Sequence, residues 1–588
     1  MHIVRDMRCT ASSLAIVGVL FALPLGAATA ADRAIGPRFE VSFPASAHRE
    51  VITGRLFMLI SCHSDPEVRL QSMWFNSPEI VALDVKKLAP GEAILVGAKA
   101  LGTPLASLDQ LRPGDYWVQA VLNIYTAFHR SDGHTVWAHM DQGEGQQFNK
   151  SPGNLYSKVQ KLHIDSSGTF SLSLTEAIPH IPAAADTEWV KHIHIQSGLL
   201  TQFWGHPIEL GAVVLLPRDY VSQPDAHYPV IYYQPEHFRS FPPFEFSTDP
   251  TPEEVAARRD RQEEGYESGY EFYQAWASDG FPQMIAVSLQ TPTPLSDWSG
   301  AIDSANNGPY GQAIMTELIP AIEKQFRIVR EPYARVLTGK DSGGRAALAL
   351  QLHNAKFFGG AWIFDPWPFN FERWSTLNIY DNDNAYLVKP ADLPEGLGGF
   401  LDWIPLERFV ARTSGDVPFV TARQLSQHDA VMAGMAAGDP IGADDVINGP
   451  VGADGHPKRL WDRATGKIDR HVAEYWRDHG DLEYYAQQHW SQVGSDLVGK
   501  LHFYIGDTDL FYRNDGVRLF EEFLKTTRDP HYEGTFVYGH FKSSWQPMSN
   551  AQLVKMMAEH VAANAPAGAD LSWMKREIDA FVDSTVRP

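Results

Sequence analysis

The sequence predicts an α/β protein in which a β-rich part precedes a larger part with a mostly parallel sheet. In residues 36–185, short apolar or alternating segments are separated by turns such as Pro113-Gly114-Asp115, and no long helical period is present. From about Glu188 onwards, strand-like segments alternate with helical ones, which is typical of a parallel sheet with helical crossovers. A glycine-flanked turn around Asp341 then limits the fold predicted for the second part to one.

The β-rich part is expected to form an accessory domain. Its predicted strands include Arg55–Ile60, Tyr116–Tyr125 and Lys158–Ile164. Many short strands joined by turns favour a β-sandwich, and the stretch Ile181–Asp186 has the composition of a linker. We therefore predict a β-sandwich-like domain at residues 31–187.

The second part, residues 188–588, contains the alternating elements of an α/β domain. One amphipathic helix is predicted over Ile314–Phe326, because its apolar residues recur at helical spacing, and another over Val517–Leu524. The predicted strands are, in chain order, Ile208–Leu216, Tyr228–Tyr233, Gln283–Leu289, Gly360–Phe364 and Leu501–Ile505.

A long insertion interrupts this alternation at about residues 366–500, between Asp365 and Leu501. A connection between a strand and the next αβ unit needs far fewer residues, and loops of this size are usually functional. We expect the insertion to pack over the cleft as a lid or cap. The alternative is a surface excursion with no role at the site.

The most informative motif is the G-x-D-x-G-G stretch from Gly339 to Gly344. It follows a predicted strand and leads directly into a predicted helix, Ala346–Leu352. Glycines on either side of a central residue allow a sharp strand-to-helix turn that presents this residue above a sheet, as in the nucleophile elbow of α/β-hydrolases. The motif predicts an α/β-hydrolase domain, with a mostly parallel sheet and helices on both faces, and places Asp341 at the apex and Ser342 next to it.

The other two members of a catalytic triad are expected on loops after later strands, in the order nucleophile, acid, histidine. Asp509 follows the strand Leu501–Ile505, and Asp507 is a competing choice two residues earlier. His540 follows another predicted strand end. The sequence therefore predicts Asp341 at the nucleophile position and Asp509 orienting His540 as the base.

From about Glu188 to Trp545 the chain resembles the putative esterase family, which includes esterase D and enterochelin esterase-like α/β-hydrolases. It looks closest to a large exported branch of that family. The resemblance is carried by the elbow and by three further stretches, Gly308-Pro309-Tyr310-Gly311, Glu317-Leu318-Ile319-Pro320 and Gly506-Asp507-Thr508-Asp509. It implies an exported, esterase-like hydrolase that needs no cofactor.

The chain departs from the family pattern at three positions. Asp341 stands where the family has its nucleophilic serine. The family histidine maps onto His540 or, through the motif around Trp545, onto Ser543. The loop after Tyr233 normally contains glycine but here includes Pro235, which has no backbone N–H to donate to an oxyanion.

Three interpretations of the elbow remain open. Asp341 is a nucleophile that attacks an sp³ carbon, which changes the substrate class to alkyl halides or epoxides. Alternatively, Ser342 acts as the nucleophile with His540 as its base, although a residue past the turn normally contributes its backbone N–H to the oxyanion. In the third interpretation the site is catalytically inactive, and the protein binds a ligand or a cell-envelope partner.

The remaining expectations concern location and partners. Arg5 and Arg8 precede an apolar run, Leu14–Leu25, and a small-residue cleavage pattern, so residues 1–30 are predicted to be a cleaved export signal. We expect a periplasmic or secreted protein with no membrane span after cleavage. A net charge of −22 excludes the basic footprint of a nucleic-acid-binding protein. A small-molecule or envelope-derived substrate is expected, and the sequence does not predict an oligomeric state.

A metal site is not predicted. His192 and His194 lie on one face of a strand, but a structural zinc site needs about four ligands and the sequence offers no further partner for them.

Overall fold

The structure, a computed structural model, describes residues 36–73, 77–165, 167–236, 241–250, 264–389, 406–433 and 440–574. The predicted export signal at residues 1–30 lies outside the described residues. Among those that are described, no helix has the length and apolar character needed to cross a membrane.

The β-rich part forms one hydrogen-bonded sheet, which has nine strands within the described residues. The strand order is β4-β1-β11-β9-β6-β2-β3-β5, with β10 paired to β6, while β7 and β8 form a separate hairpin. A sandwich has two separate sheets, so the β-sandwich prediction is not confirmed. The strands are β1 Arg38–Ser42, β2 Ile52–Ser61, β3 Glu79–Leu88, β4 Ala93–Val96, β5 Leu101–Thr103, β6 Gly114–Ile124, β7 Thr126–His129, β8 Thr135–Ala138, β9 Leu155–Ser157, β10 Gln160–Ile164 and β11 Thr169–Ala177.

Both faces of this sheet are buried in its centre. Along β2, Leu56 and Met58 pack into one apolar cluster, whereas Phe57 and Leu59 pack into another. This alternation follows from the two-residue period of a strand. The second cluster includes Val431, which belongs to the insertion predicted for the other part of the chain.

The second sheet has the α/β-hydrolase arrangement. Its strand order is β12-β13-β15-β14-β18-β19-β24-β25; β12 and β13 pair antiparallel, as do β13 and β15, and the other pairs are parallel. Its central strands are buried along almost their whole length, as expected for a parallel sheet covered on both faces. The strands are β12 Val190–Gln196, β13 Glu209–Leu215, β14 Val230–Gln234, β15 Ile285–Gln290, β18 Arg335–Lys340, β19 Gly360–Phe364, β24 Leu501–Gly506 and β25 Thr535–Gly539.

Besides β7 and β8, six short strands of the described residues form antiparallel pairs outside the two sheets: β16 Asp303–Ser304, β17 Gly308–Pro309, β20 Leu387–Val388, β21 Leu406–Glu407, β22 Phe409–Arg412 and β23 Pro418–Thr421. The described α-helices are α1 Gly198–Trp204, α2 Gly269–Trp276, α3 Tyr310–Ala313, α4 Ile319–Gln325, α5 Ser342–His353, α6 Ala422–Ala433, α7 Pro440–Asn448, α8 Arg470–Gly480, α9 Leu482–Leu497, α10 Arg513–Thr526 and α11 Asn550–Ala563. A π-helical turn, Ile314–Leu318, joins α3 to α4. Short 3₁₀ turns cover Val68–Leu70, Leu108–Gln110, Pro243–Glu245, Pro332–Ala334, Phe371–Arg373 and Ser572–Met574.

The insertion contacts both sheets. Helix α6 lies against the first sheet, where Arg55 donates from Nε to the carbonyl oxygen of Val431 at 2.9 Å. Helix α7 meets α5, because Asn448 accepts a hydrogen bond from Arg345 at 2.7 Å. Strand β22 reaches the loop after β24, where Arg412 donates to the carbonyl oxygen of Asp509 at 3.0 Å. The insertion therefore lies close to the elbow and ties it to the β-rich part.

Candidate functional site

The sharp turn between β18 and α5 puts Asp341 at its apex, with φ 55° and ψ −124°. Two glycines make this turn sterically possible. A Cβ at Gly339 would lie 2.3 Å from the carbonyl oxygen of Gly343, and a Cβ at Gly343 would lie 2.1 Å from that of Gln234. Such contacts are forbidden for any other residue, so the glycines in the motif are explained by close backbone approach.

The Asp341 carboxylate is bound on both oxygens. Its Oδ1 accepts from the backbone N–H of Ser342 at 2.7 Å, and its Oδ2 accepts from Nη1 of Arg513. The Arg513 side chain is 4% exposed and that of Asp341 is 13% exposed. The apex side chain therefore belongs to a mostly buried ion pair.

Arg513, the first residue of α10, also holds Asp509 with two nitrogens. Its Nε donates to Oδ1 at 2.9 Å and its Nη2 to Oδ2 at 2.8 Å. The backbone N–H groups of Phe511 and Arg513 donate to Oδ1 as well. Asp341, Arg513 and Asp509, which we call the ion triplet, thus form one connected polar group at the carboxyl ends of β18 and β24.

Electrostatics keep Arg513 charged. Burial alone would lower the pKa of its guanidinium, but the attraction of Asp509 and Asp341 raises this pKa well above its ordinary value. A buried charge is tolerated when it is paired and hydrogen-bonded, and the ion triplet meets both conditions.

The predicted pairing of Asp509 with His540 is not present and is corrected here. Nδ1 of His540 donates to Oδ2 of Asp507 at 3.0 Å, and the His540 side chain is 77% exposed. Asp507, the competing choice at the sequence level, also accepts from the N–H of Phe541 at 2.7 Å. Arg513 explains the difference, because it lies four residues after Asp509 and occupies the carboxylate oxygens that an imidazole would use.

Ser342 is placed less favourably for chemistry than the sequence predicts. It is 1% exposed. Its backbone N–H, expected to stabilise negative charge in a substrate, donates to the carboxylate of Asp341 instead. A nucleophilic role for Asp341 or Ser342 is not tested by this geometry and stays a prediction.

Asp365 is a further site residue that the sequence analysis missed, like Arg513. It directly follows β19, is fully buried, and accepts from the Trp545 N–H at 2.8 Å and from Oγ of Ser544 at 3.0 Å. Burial, assisted by Asp509 and opposed by Arg513, raises the pKa of its carboxyl to about 6. The position of Asp365 at the end of a predicted strand could have identified it, since the same position identified Asp509.

A narrow cleft borders the elbow. It has a volume of about 20 Å³ and is lined by β14, the loop after β15 and the first turns of α5. The lining residues are Gln234, Pro235, Leu289, Thr291, Asp297, Trp298, Ser299, Gly300, Ala301, Ser342 and Ala346. Pro235 contributes no backbone donor here, but two side-chain donors are present. Nε2 of Gln234 and Nε1 of Trp298 are buried and have no hydrogen-bond partner among the described residues.

Metal ligation finds no support in the described ranges. They contain no group of three or more His, Cys, Asp or Glu side chains arranged to hold a metal ion. His192, singled out in the sequence, lies 3.2 Å from a carboxylate oxygen of Asp186 instead.

The chain is similar to several solved structures. A ferulic acid esterase shares 14% identity over 60% of this chain and 92% of its own, with a TM-score of 0.32. An S-formylglutathione hydrolase from Agrobacterium tumefaciens shares 14% over 65% of this chain and 97% of its own, with a TM-score of 0.30. The fluorophosphonate-binding serine hydrolase F of Staphylococcus aureus shares 12% over 63% and 98%, with a TM-score of 0.31.

No protein-family model and no curated protein matches this chain. The α/β-hydrolase assignment rests on the strand order and directions of the second sheet, not on similarities at this level of identity and TM-score.

Proposed function

We propose that this protein is an α/β-hydrolase-fold protein that binds a ligand or a cell-envelope partner without hydrolysing it at the elbow. The observation that carries the proposal is the ion triplet. Asp341 and Asp509 are both engaged in it, and the backbone N–H of Ser342 donates to Asp341. His540 is paired with Asp507 instead.

The ion triplet opposes nucleophilic chemistry at Asp341. A carboxylate attacks carbon through an oxygen lone pair, and here a guanidinium and a backbone N–H withdraw electron density from both oxygens. Charge-assisted hydrogen bonds of this kind are strong and make a carboxylate a weaker nucleophile. Hydrolysis of an alkyl-enzyme ester would also need a base for water. His540 is oriented through Nδ1 by Asp507, but neither of the hydrogen bonds of the Asp341 carboxylate in the described residues involves it.

Ester hydrolysis through Ser342 is disfavoured for a different reason. A serine nucleophile stands at the apex of the elbow, where the turn presents its side chain to the substrate. Ser342 is 1% exposed and lies in the first turn of α5.

A hydrolase with Asp341 as nucleophile is the second candidate, and one observation favours it. Asp341 keeps positive φ, a conformation that costs a non-glycine residue about 1–3 kcal/mol and tends to persist at functional sites.

An exported location, periplasmic or secreted, is part of both candidates and is supported by the apolar run Leu14–Leu25. N-terminal sequencing of the mature protein from a periplasmic extract tests the location.

Turnover and intact mass together test the proposal. Wild type, Asp341→Asn and Ser342→Ala are assayed against p-nitrophenyl acetate, p-nitrophenyl butyrate, 1-bromobutane and styrene oxide, after circular dichroism has shown each to be folded. We expect no turnover above background and no covalent adduct in any of the three proteins.

Two results would identify an enzyme instead. Turnover of 1-bromobutane or styrene oxide that is lost only in Asp341→Asn, with an alkyl adduct by mass spectrometry, would establish the second candidate. Ester turnover lost only in Ser342→Ala would establish a serine hydrolase and a different placement of the elbow.

A further inference from the structure

The cleft beside the elbow contains polar groups that the fold does not use. Gln234 is 4% exposed and Trp298 is 7% exposed, yet Nε2 of the first and Nε1 of the second have no partner among the described residues. Buried polar groups in folded proteins are nearly always hydrogen-bonded. Two such exceptions in the lining of one cleft indicate a group from outside the chain.

Both unused groups in the lining are donors. Besides Gln234 and Trp298, the buried Arg345 has two nitrogens, Nε and Nη1, without partners in the described part of the chain. Arg345 lies directly behind the cleft lining, because its Nη1 is 3.1 Å from the position that a Cβ on Gly300 would take. Its guanidinium carbon is 5.7 Å from the centre of the Trp298 ring. The cleft is therefore suited to a hydrogen-bond acceptor.

The charges around the cleft select a neutral acceptor. Asp297 contributes a carboxylate to the lining, and Asp444 and Asp481 act on Arg345 from behind it, so a carboxylate or phosphate would be repelled. Arg345 disfavours an ammonium group. A hydroxyl or carbonyl oxygen accepts from N–H donors and carries no net charge.

We propose that Gln234 and Trp298 form a subsite for a neutral oxygen of the ligand, either the hydroxyl of a polyol or the carbonyl of an ester or amide. This deepens the proposed function and rests on it. The cleft volume of about 20 Å³ is large enough for one oxygen-bearing group, since about 10–15 Å³ already holds one water-sized group. Only the oxygen-bearing end of a ligand enters, and the remainder lies outside the cleft.

The indole N–H of Trp298 gives a direct readout. Full-length protein labelled with ¹⁵N-tryptophan is titrated with xylitol and methyl α-D-glucopyranoside for the hydroxyl, N,N-dimethylacetamide for the carbonyl, sodium acetate for an anion and methylammonium chloride for a cation. The Trp298 resonance is identified as the one missing from Trp298→Phe. We expect it to shift saturably with at least one neutral probe and not with acetate or methylammonium.

Two substitutions and one control locate the binding. Gln234→Met removes the amide donor at nearly the same side-chain length, and Trp298→Phe removes the indole donor and keeps an aromatic ring. Each should weaken the neutral probe about fivefold to tenfold in calorimetry, which corresponds to one hydrogen bond. Trp276→Phe is the control, because its indole N–H already donates to the carbonyl oxygen of Leu216 at 2.9 Å; its affinity should match wild type.

The outcomes separate this inference from the proposed function. A shift with the polyols only, or with the amide only, supports the subsite and identifies the source of the oxygen. No shift with any neutral probe, a larger shift with acetate, or equal weakening by Trp276→Phe overturns the subsite. Turnover that depends on Asp341 or Ser342 overturns the proposed function, whatever the indole resonance does.

Discussion

Two buried arginines on either side of the elbow differ in how completely they are paired. Arg513 donates to Asp341 and Asp509. Arg345 donates from Nη2 to Asn448 at 2.7 Å and to the carbonyl oxygen of Gly480 at 3.1 Å, and its other two nitrogens have no partner among the described residues. The first arginine stabilises the fold at the position where a hydrolase has its chemistry. The second leaves donors unused next to a cleft.

The pKa shifts of the two guanidinium groups follow this difference in pairing. The carboxylates of the ion triplet raise the pKa of Arg513 well above its ordinary value. Burial lowers the pKa of Arg345, and Asp444 and Asp481 only partly oppose this effect. An unpaired buried donor gains its missing hydrogen bond when a ligand binds, whereas a fully paired donor gains nothing.

The largest effect that tests this comparison is expected from Arg513→Met. Removing one partner of a buried pair leaves an uncompensated charge on Asp509, which typically costs about 3–5 kcal/mol in the free energy of unfolding. Urea denaturation at neutral pH measures it. Arg518→Met is a matched control on the same helix, because Arg518 is exposed and stacks over Tyr538. Equal losses in the two variants would show that the ion triplet does not stabilise the fold.

Within the ion triplet, Asp509→Asn should cost more than Asp341→Asn. Asp509 is fully buried and receives two guanidinium nitrogens, so its replacement should cost about 3 kcal/mol. Asp341 is partly exposed and its replacement leaves Arg513 paired, so about 1 kcal/mol is expected. The same urea series gives both values, and a reversed order would mean that Asp341 is the main partner of Arg513.

Arg345→Met should lower the free energy of unfolding less than the loss of a fully paired buried arginine does. The variant loses the bonds to Asn448 and Gly480 but removes two unpaired donors, so a loss of about 1–2 kcal/mol is expected. Arg335→Met is the control, since Arg335 is buried and holds both oxygens of Glu323, at 2.7 and 2.9 Å; about 3–5 kcal/mol is expected there. If Arg345→Met destabilises as much as the control, Arg345 is a structural residue.

The elbow and the strands around it could be predicted from sequence because their determinants are local. Gly339 and Gly343 are required by backbone contacts within a few residues or with the adjacent strand, and β19 was predicted with its observed bounds, Gly360–Phe364. Strand pairing is not local. The β-rich part shows the same alternating pattern whether its strands form one sheet or two, which is why a sandwich was expected.

The site was harder to predict because several side chains compete for the same partner. Asp509 and His540 have the right order in the chain, but Arg513, four residues from Asp509 at the start of a helix, has an entropic advantage over a residue on a separate loop. The Asp-x-x-x-Arg spacing was available as a signal. Asn448, which binds Arg345, comes from the insertion, and no local pattern in the sequence connects the two.

The pH dependence of stability tests the environment of Asp365. Its pKa is raised from 3.8 to about 6, so between about pH 4 and 6 the folded state binds more protons than the unfolded state. Its contribution to stability is therefore present at low pH and lost as the pH rises through about 6. The free energy of unfolding of wild type minus that of Asp365→Asn should fall between pH 4 and 7.

Subtracting the free energy of unfolding of Asp365→Asn from that of wild type isolates the contribution of Asp365 from those of other buried groups. Burial lowers the pKa of His353 and His502 to about 4, so those residues destabilise the folded protein as the pH falls below about 6.5, the opposite sign. Both proteins carry them, and their contributions cancel. A difference that rises near pH 4 and is flat up to pH 7 would mean that Arg513 dominates and that the Asp365 carboxyl is ionised throughout.

The smallest effect is expected from His540→Ala, the residue that a catalytic triad would require. His540 is 77% exposed and its bond to Asp507 is a surface pair, so the free energy of unfolding should change by less than about 0.5 kcal/mol. The Trp298 indole shift with neutral probes should be unchanged, because His540 is not among the residues that line the cleft. A changed Trp298 shift would show that His540 reaches the elbow when the probe binds, and would favour the hydrolase over the binding protein. A large loss of stability would show that the pair with Asp507 is more than a surface contact.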